Sequence, residues 1–416
     1  MTALNDNSRP AAPRLQLLSF ADIRFPLERA NGIQTFETCH ALAARGHDVT
    51  LVVRDDTARP RRDPFEFYGL PHLAALRIVR LRLNGPHPVR RMLFLMLAAQ
   101  RAAVWSRRAC VLTRDLGAAA AVLRLPSILR PTLIYESHGF SPVFSETMPE
   151  LVAGTKPGSP RKLQRLTRRE QRVWNGADGY ITTTGVLASE LSQRFGSRRF
   201  LTTISNGVRL QADRAFQLRT RGGTIVLGYA GHLYPWKGVD VFIRSIERLP
   251  DTRGVIVGGL PGEPDLDRAR DLARRIGVEQ RIEFTGHVEP SQVPSLLAQT
   301  DVLVLPTVDT ASAIYTSPLK LFEYFAAGRP VVASDLPPVR EIVRDGENAV
   351  LFKPGDSESL AAAIRRVWQD EQFAERLART AYLEASEYGW NRRAERLEAF
   401  VVSVLCAVGR PVGARA

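Results

Sequence analysis

Short apolar runs alternate along most of this 416-residue chain with segments whose apolar residues recur at helical spacing, the pattern of buried strands separated by amphipathic helices. Leu15 to Ser19 reads as a first strand, followed by a loop with Phe25 and Pro26. Thr35 to Arg45 then carries Phe36, Cys39, Leu42 and Ala43 on one helical face, Gly46 ends that helix, and Val49 to Val53 is the next strand. Leu76 to Leu83 alternates apolar residues with arginines and predicts a strand with one basic face. Leu133 to Glu136, Ala177 to Thr184 and Leu201 to Ile204 continue the strands, with a helix over Gly185 to Phe195. A second series runs through Thr224 to Tyr229, Gly254 to Gly258, Arg281 to Phe284 and Asp301 to Pro306, and beyond Gly355-Asp356 the pattern is helical to the end. Strand, helix and strand in this order make parallel βαβ units, and the length exceeds what one core usually serves. The prediction is α/β: a doubly wound domain over 1–210, a polar linker over 211–223, a second such domain over 224–386 and a helical tail over 387–416.

The stretch from Ile314 to Ser334 is the most informative single unit. Ser317 suits an N-cap and Pro318 the first helical position, so a helix is expected from there through Leu319, Phe322, Phe325 and Ala326 until Gly328 stops it. Lys320 and Glu323 are its conspicuous charges, neighbours on one face. In a doubly wound sheet, ligands collect where strands end and helices begin, and unpaired N–H groups at a helix start attract phosphate. Lys320 there suits a phosphate, and Glu323 one turn deeper can accept two hydrogen bonds from the vicinal hydroxyls of a ribose. Two solvated charges would look the same in sequence.

Composition narrows the setting. Three cysteines, Cys39, Cys110 and Cys406, show neither a disulfide framework nor metal-ligand spacing, which fits a reducing cytoplasm. The first residues carry no apolar signal core and no stretch nears the ~18 uninterrupted apolar residues of a span, so the expectation is neither secreted nor integral. The net charge of +14 is divided unevenly: residues 1–210 hold 31 Lys and Arg against 16 Asp and Glu, whereas the rest is nearly balanced. Such asymmetry points to an anionic partner, membrane phospholipid or nucleic acid, or else to a solvated arginine-rich surface. No recognition module or basic-aromatic stacking strip speaks for nucleic acid.

The basic half holds two notable helices. Arg90 to Trp105 is strongly apolar and flanked by Arg90, Arg91, Arg101, Arg107 and Arg108, which fits either interfacial membrane binding or a core helix. Ser159 to Arg172 carries Arg161, Lys162, Arg165, Arg168, Arg169 and Arg172. His138, at the carboxyl end of a strand and before Gly139, lies where active-site groups are carried, although a structural histidine is equally at home there. Asn31-Gly32 at a strand-to-helix crossing either lets a ligand approach the backbone or only makes a turn.

Assembled in order, these pieces resemble the retaining glycosyltransferases of the GT-B fold, specifically the large family 4 with nucleotide-sugar donors. The residues that carry the resemblance are Asn31-Gly32 with Gly46 to Thr50, Ser137-His138-Gly139, Ser205 to Val208, Gly231 with Lys237 to Asp240, Phe284-Thr285-Gly286, and above all Ser317 to Tyr324 running to Gly328 through Val332. The resemblance implies two Rossmann-like domains facing a cleft, and a tail from Glu387 to Trp390 onward that crosses back to the first domain. A two-stranded hinge near Asn206 to Gly223 and near Tyr388 then follows, with domain closure as the expected motion. It also implies His138 and Lys237 as catalytic residues, and Asn31, Gly32, Gly231, His232, Lys237, Tyr315, Ser317, Pro318, Leu319, Lys320 and Glu323 at the donor, with no metal or other cofactor. The acceptor would be a glycan or a lipid-linked molecule, reached from the cytoplasm with possible peripheral contact to the inner membrane face.

Three positions depart from the family's pattern. His232 stands where many members carry arginine, Tyr315 where the first of two paired glutamates is usual, and Asn31-Gly32 where a diglycine is common. Lys320 is then the cation that compensates for His232. Competing readings are a GT-B phosphorylase, a nucleotide-sugar epimerase, or a non-catalytic protein that binds an anionic polymer.

Overall fold

The computed structural model describes residues 14–55, 60–105, 109–151, 154–210, 215–259, 262–289 and 292–410. The expectations for the first thirteen residues, for Arg107 and Arg108, for linker residues 211–214 and for the end of the tail lie outside the described residues. The first domain is a parallel sheet of β1 (Gln16–Phe25), β2 (Asp48–Asp55), β3 (Leu76–Leu81), β4 (Cys110–Thr113), β5 (Thr132–Ser137), β6 (Gly179–Thr182) and β7 (Leu201–Thr203), in the order β3-β2-β1-β4-β5-β6-β7. The second is a parallel sheet of β8 (Ile225–Ala230), β9 (Thr252–Val257), β10 (Ile282–Gly286), β11 (Val302–Leu305), β12 (Val331–Ser334) and β13 (Val350–Phe352), in the order β10-β9-β8-β11-β12-β13. Strands β4, β5, β6, β8, β11 and β12 are buried at every position, because helices cover both faces of a parallel sheet. Strand β3 lies at the edge, which accommodates its arginines. In each sheet the order reverses beside the first strand, so a crevice opens beyond β1 and β4 and another beyond β8 and β11.

Two helices begin elsewhere than expected. The first spans Ala30–Ala44, which places Asn31 and Gly32 inside its opening turn. The one bearing Lys320 spans Leu319–Ala326 with Pro318, not Ser317, at the N-cap and no side-chain cap.

The tail returns to the first domain. Val208 and Gly389 pair in parallel: the Val208 N–H donates to the Tyr388 carbonyl at 2.8 Å and the Trp390 N–H to the Val208 carbonyl at 3.2 Å. A Cβ on Gly207 would lie 2.6 Å from the Trp390 ring, so only glycine lets the crossings approach this closely. The Trp390–Ala407 helix then buries Trp390, Ala394, Leu397, Val401 and Val404 in one cluster with Phe36, Leu42 and Ile134. Described linker residues are fastened to the second domain: Arg219 bonds Asp301, Arg221 lies over the Trp368 ring, and Phe216 packs on Tyr382. Their polarity reflects arginine anchors, and the chain crosses between domains upstream of them, at Val208.

The domains also touch through side chains. Glu341 of the second domain accepts from the backbone N–H groups of Gly185 at 2.9 Å and Val186 at 2.7 Å, so its carboxylate meets the start of the Gly185–Phe195 helix of the first. Among the described residues, no helix is long and apolar enough to cross a membrane.

Candidate active site

The second-domain wall of the cleft is built where β8 and β11 end. After β8, Gly231 begins a loop that leads through a short turn, Pro235–Lys237, to Gly238, whose φ is 73°. A Cβ on Gly238 would stand 1.7 Å from the Pro306 carbonyl oxygen. Only glycine can close this loop onto the end of β11, and the closure fixes Lys237 at the crevice. The Lys237 ammonium sits 3.8 Å from the centroid of the Trp236 ring, and among the described residues no carboxylate is bonded to it. Burial, and then the charge of Lys320, push its pKa down to about 8.

His232 stacks on Tyr234 with centroids 5.0 Å apart. Burial, reinforced by Lys237, Arg29 and Lys320, lowers its pKa to about 4, so it is a neutral imidazole at pH 7. Lys320 is paired with Glu323 at 2.7 Å, each about one third exposed. Lys237, Lys320 and the Arg29 of the facing domain therefore converge, with Glu323 paired to Lys320, an arrangement that favours an incoming anion. Arg29 has no sequence motif: it is an exposed residue just before the Ala30–Ala44 helix, brought to the cleft by tertiary structure.

Several expected site residues make contacts of their own within the protein. The Ser317 hydroxyl accepts from the Asn206 N–H at 3.3 Å and its carbonyl accepts from Asn206 Nδ2 at 3.2 Å, which ties the loop before the helix to the hinge. Pro318 ends that loop, and Leu319 packs against the first-domain cluster. Tyr315 is buried in the first-domain cluster that holds Leu187 and Leu191, with Arg194 beside its hydroxyl, and is not grouped with the cations. A Cβ on Gly32 would meet the Leu27 carbonyl oxygen at 2.4 Å and the Tyr68 hydroxyl at 2.7 Å, so this glycine permits packing within its own domain. Asn31 accepts from the Thr35 hydroxyl at 3.4 Å, one turn along its helix. Of the stretch from Tyr315 to Glu323, the structure brings Lys320 and Glu323 to the cations.

In the first domain, His138 follows β5 at a turn where a Cβ on Gly139 would lie 1.9 Å from the Phe144 ring. His138 Nε2 is 2.6 Å from Glu136 Oε1. Burial and Arg114 hold the histidine pKa down to about 4, against the pull of Glu136. Burial opposes ionisation of Glu136 too, yet Arg393 and His138 outweigh it and hold that carboxyl well below the usual range. A neutral imidazole beside a carboxylate is suited to orient a hydroxyl-rich ligand, not to protonate it.

Two doubly wound domains, a tail stitched back across the hinge and an anion-ready cluster at the second crevice make up the GT-B architecture of glycosyltransferases. Residues 32–212 match the model of Glycosyltransferase Family 4 and residues 224–370 that of Glycosyl transferases group 1. The chain is 32% identical over 219 residues to a glycogen synthase of Mycobacterium tuberculosis, covering 51% of each protein. It is 30% identical over 196 residues to an alpha-D-kanosaminyltransferase of Streptomyces kanamyceticus, covering 45% of this chain and 48% of that protein. It thus spans about half the length of the curated relatives it matches. In fold it is similar to sucrose-phosphate synthase from Thermosynechococcus elongatus, with a TM-score of 0.74 at 19% identity over 95% of this chain and 100% of that one. Anabaena HepE, solved with UDP-glucose, gives 0.72 at 19% identity over 94% of this chain and 100% of that one. The chain belongs to the family 4 glycosyltransferases.

Proposed function

We propose that this protein transfers a sugar, with retention at the anomeric carbon and without a metal, from a nucleotide sugar to a lipid-linked or polysaccharide acceptor. The observation that carries this reading is the Lys237 and Lys320 pair at the second crevice, with Glu323 bonded to Lys320. Lys237 and Lys320 meet the diphosphate and Glu323 the ribose. In the reaction the bond from the anomeric carbon to the diphosphate oxygen breaks and a bond to the acceptor oxygen forms on the same face. The acceptor proton passes to the departing diphosphate. Negative charge grows on the leaving group, so fixed cations there lower the barrier more than they tighten substrate binding. Relatives named alpha-D-kanosaminyltransferase and D-inositol 3-phosphate glycosyltransferase support sugar transfer. A panel of nucleotide sugars assayed for nucleotide release, with and without lipid extract, tests the reading; no release from any donor under either condition overturns it.

The departure at His232 gives a sharper test. At pH 8 the imidazole is neutral, so His232→Ala should change nucleoside diphosphate affinity little. Lys320→Ala removes a cation, which costs about 1.5–3 kcal/mol where it bonds a phosphate. It should also let the Lys237 pKa rise, since Lys320 is one of the two influences depressing it. Calorimetry with both variants decides, and no loss from Lys320→Ala, or no more than from His232→Ala, would return Lys320 to a surface role.

The acceptor side rests on the first domain. In the His87–Val104 helix, Phe94, Ala98 and Ala102 are buried while Met92, Met96 and Val104 are exposed, and Ile128 and Leu129 of a nearby turn are exposed too. Arg161, Lys162, Arg165 and Arg168 are exposed along the Pro160–Gly176 helix. Arg91 is excluded from this face, because it bonds Asp22 at 2.6 Å and both oxygens of Asp115 at 2.6 and 2.7 Å. Each basic residue near an anionic leaflet contributes about 1 kcal/mol, screened over about 8 Å at physiological salt. The protein should co-sediment with anionic but not neutral vesicles and be released by high salt. Neutralising Arg161, Lys162, Arg165 and Arg168 should weaken binding, whereas Arg91→Gln should act on stability. Full activity on a soluble acceptor with no vesicle binding would discard the membrane contact.

A further inference from the structure

Outside the cation cluster, a group of buried charges lies beneath His138. A single oxygen, Glu136 Oε1, is approached by His138 Nε2 at 2.6 Å, Arg393 Nη2 at 2.6 Å and Gln34 Nε2 at 2.8 Å. Glu136 is 3% exposed and Arg393 2%. Arg393 stands in the opening turn of the tail helix, 257 residues from Glu136. Its other nitrogens donate to the Ser205 carbonyl and to the Thr38 hydroxyl, each at 3.0 Å. Gln34 in turn accepts from Arg114 at 2.7 Å.

A buried ion pair adds little stability by itself, and an apolar pair of similar volume often serves as well. The third partner gives this one a task. A carboxylate held by a guanidinium has no proton to give, so the short contact to His138 requires the histidine to donate through Nε2. In the neutral ring Nδ1 then carries a lone pair and can only accept. We propose that Glu136 and Arg393 are positioning residues for His138: the tail arginine keeps Glu136 an acceptor, and Glu136 fixes the Nε2–H tautomer, leaving Nδ1 to accept from a sugar hydroxyl. The last step rests on the proposed function; the tautomer does not. The returning tail thereby completes the first-domain side of the site, besides burying apolar surface.

Nitrogen NMR of protein labelled at its seven histidines, with His138 assigned through His138→Asn, reads the tautomer directly. Wild type should show a neutral ring protonated at Nε2. In Arg393→Met the buried carboxyl, left without its cation, should take up a proton and donate to Nε2, moving His138 to the Nδ1–H form; Arg393→Lys should restore much of the wild-type signal. Glu136→Gln, whose amide can either donate or accept, should give a mixture. With an active donor, Arg393→Met and Glu136→Gln should lower kcat at least tenfold while nucleoside diphosphate affinity stays within twofold. An Nδ1–H ring in wild type overturns the proposal, as does a tautomer unchanged in both variants. If Arg393→Met fails to fold, wild type, Glu136→Gln and Arg393→Lys still decide. Absence of transfer with every donor would remove the sugar hydroxyl and leave the tautomer result standing.

Discussion

Lys237→Met should lower kcat/KM for the best donor by on the order of 10² to 10³, with most of the loss in kcat. The ammonium has no bonded carboxylate among the described residues, and its pKa is pushed to about 8 by burial and by Lys320. An arriving diphosphate supplies the missing countercharge, and the departing diphosphate supplies more of it, so the interaction strengthens along the reaction coordinate. The sign of the pH dependence follows. Below pH 8 the free protein already holds the proton and nucleoside diphosphate affinity is flat; above it a proton must be taken up on binding, and affinity should fall by up to about tenfold per pH unit. For stability, a lysine whose folded pKa lies below its ordinary value of 10.5 is a cost to the free fold. That cost is present at neutral pH and relieved as pH rises from 8 towards 10.5. Titration calorimetry between about pH 6.5 and 9.5 checks this, and Lys237→Arg should flatten the alkaline limb, because a guanidinium keeps its charge. An affinity that ignores pH and survives Lys237→Met would take the lysine out of the site.

Glu323→Ala should weaken nucleoside diphosphate binding by about 1.5–3 kcal/mol, the usual range for charged hydrogen bonds. The free protein complicates this simple loss, because Glu323 also partners Lys320. Removing the carboxylate frees that ammonium, which by itself strengthens the hold on a phosphate. The two effects separate when the ribose is omitted. Inorganic pyrophosphate should bind Glu323→Ala at least as well as wild type, while the nucleoside diphosphate binds it worse. Parallel losses for both ligands would mean that Glu323 acts through Lys320 and never meets the ribose.

What could be read from the sequence follows physical range. Gly185–Phe195 appears as a helix with the expected ends, because Thr184 caps it through the Leu187 N–H and Gly196 follows it, both local signals. Strand β4, Cys110–Thr113, has only four residues, too few to show a period in the sequence. The second-domain motif gave the right helix, but its first residues were assigned by local rules: Ser317 looks like a cap, and its hydroxyl is taken by Asn206, 111 residues away. Gly32 illustrates the same limit, since its restraint comes from Leu27 and from Tyr68 across the domain. Glu136 did carry a visible sign, a glutamate at the end of the apolar run Leu133 to Tyr135. Its partner Arg393 did not, because nothing along an amphipathic tail distinguishes one arginine from the others before the tail is docked.

The paired crossing at Val208 and Gly389 has a mechanical consequence. A single peptide strand between two bodies can twist as well as bend. Two strands held side by side, through Val208 to Tyr388 and Trp390 to Val208, resist torsion, because rotation about the strand direction would shear both bonds. Swinging about an axis through the pair leaves both intact. At this crossing, bending that changes the width of the space between the bodies is therefore softer than twisting. Arg393 lies in the turn just beyond the axis and, among the described residues, its side chain bonds to the first-domain groups Ser205, Thr38 and Glu136, so bending at the crossing would carry the histidine's support along with its own domain.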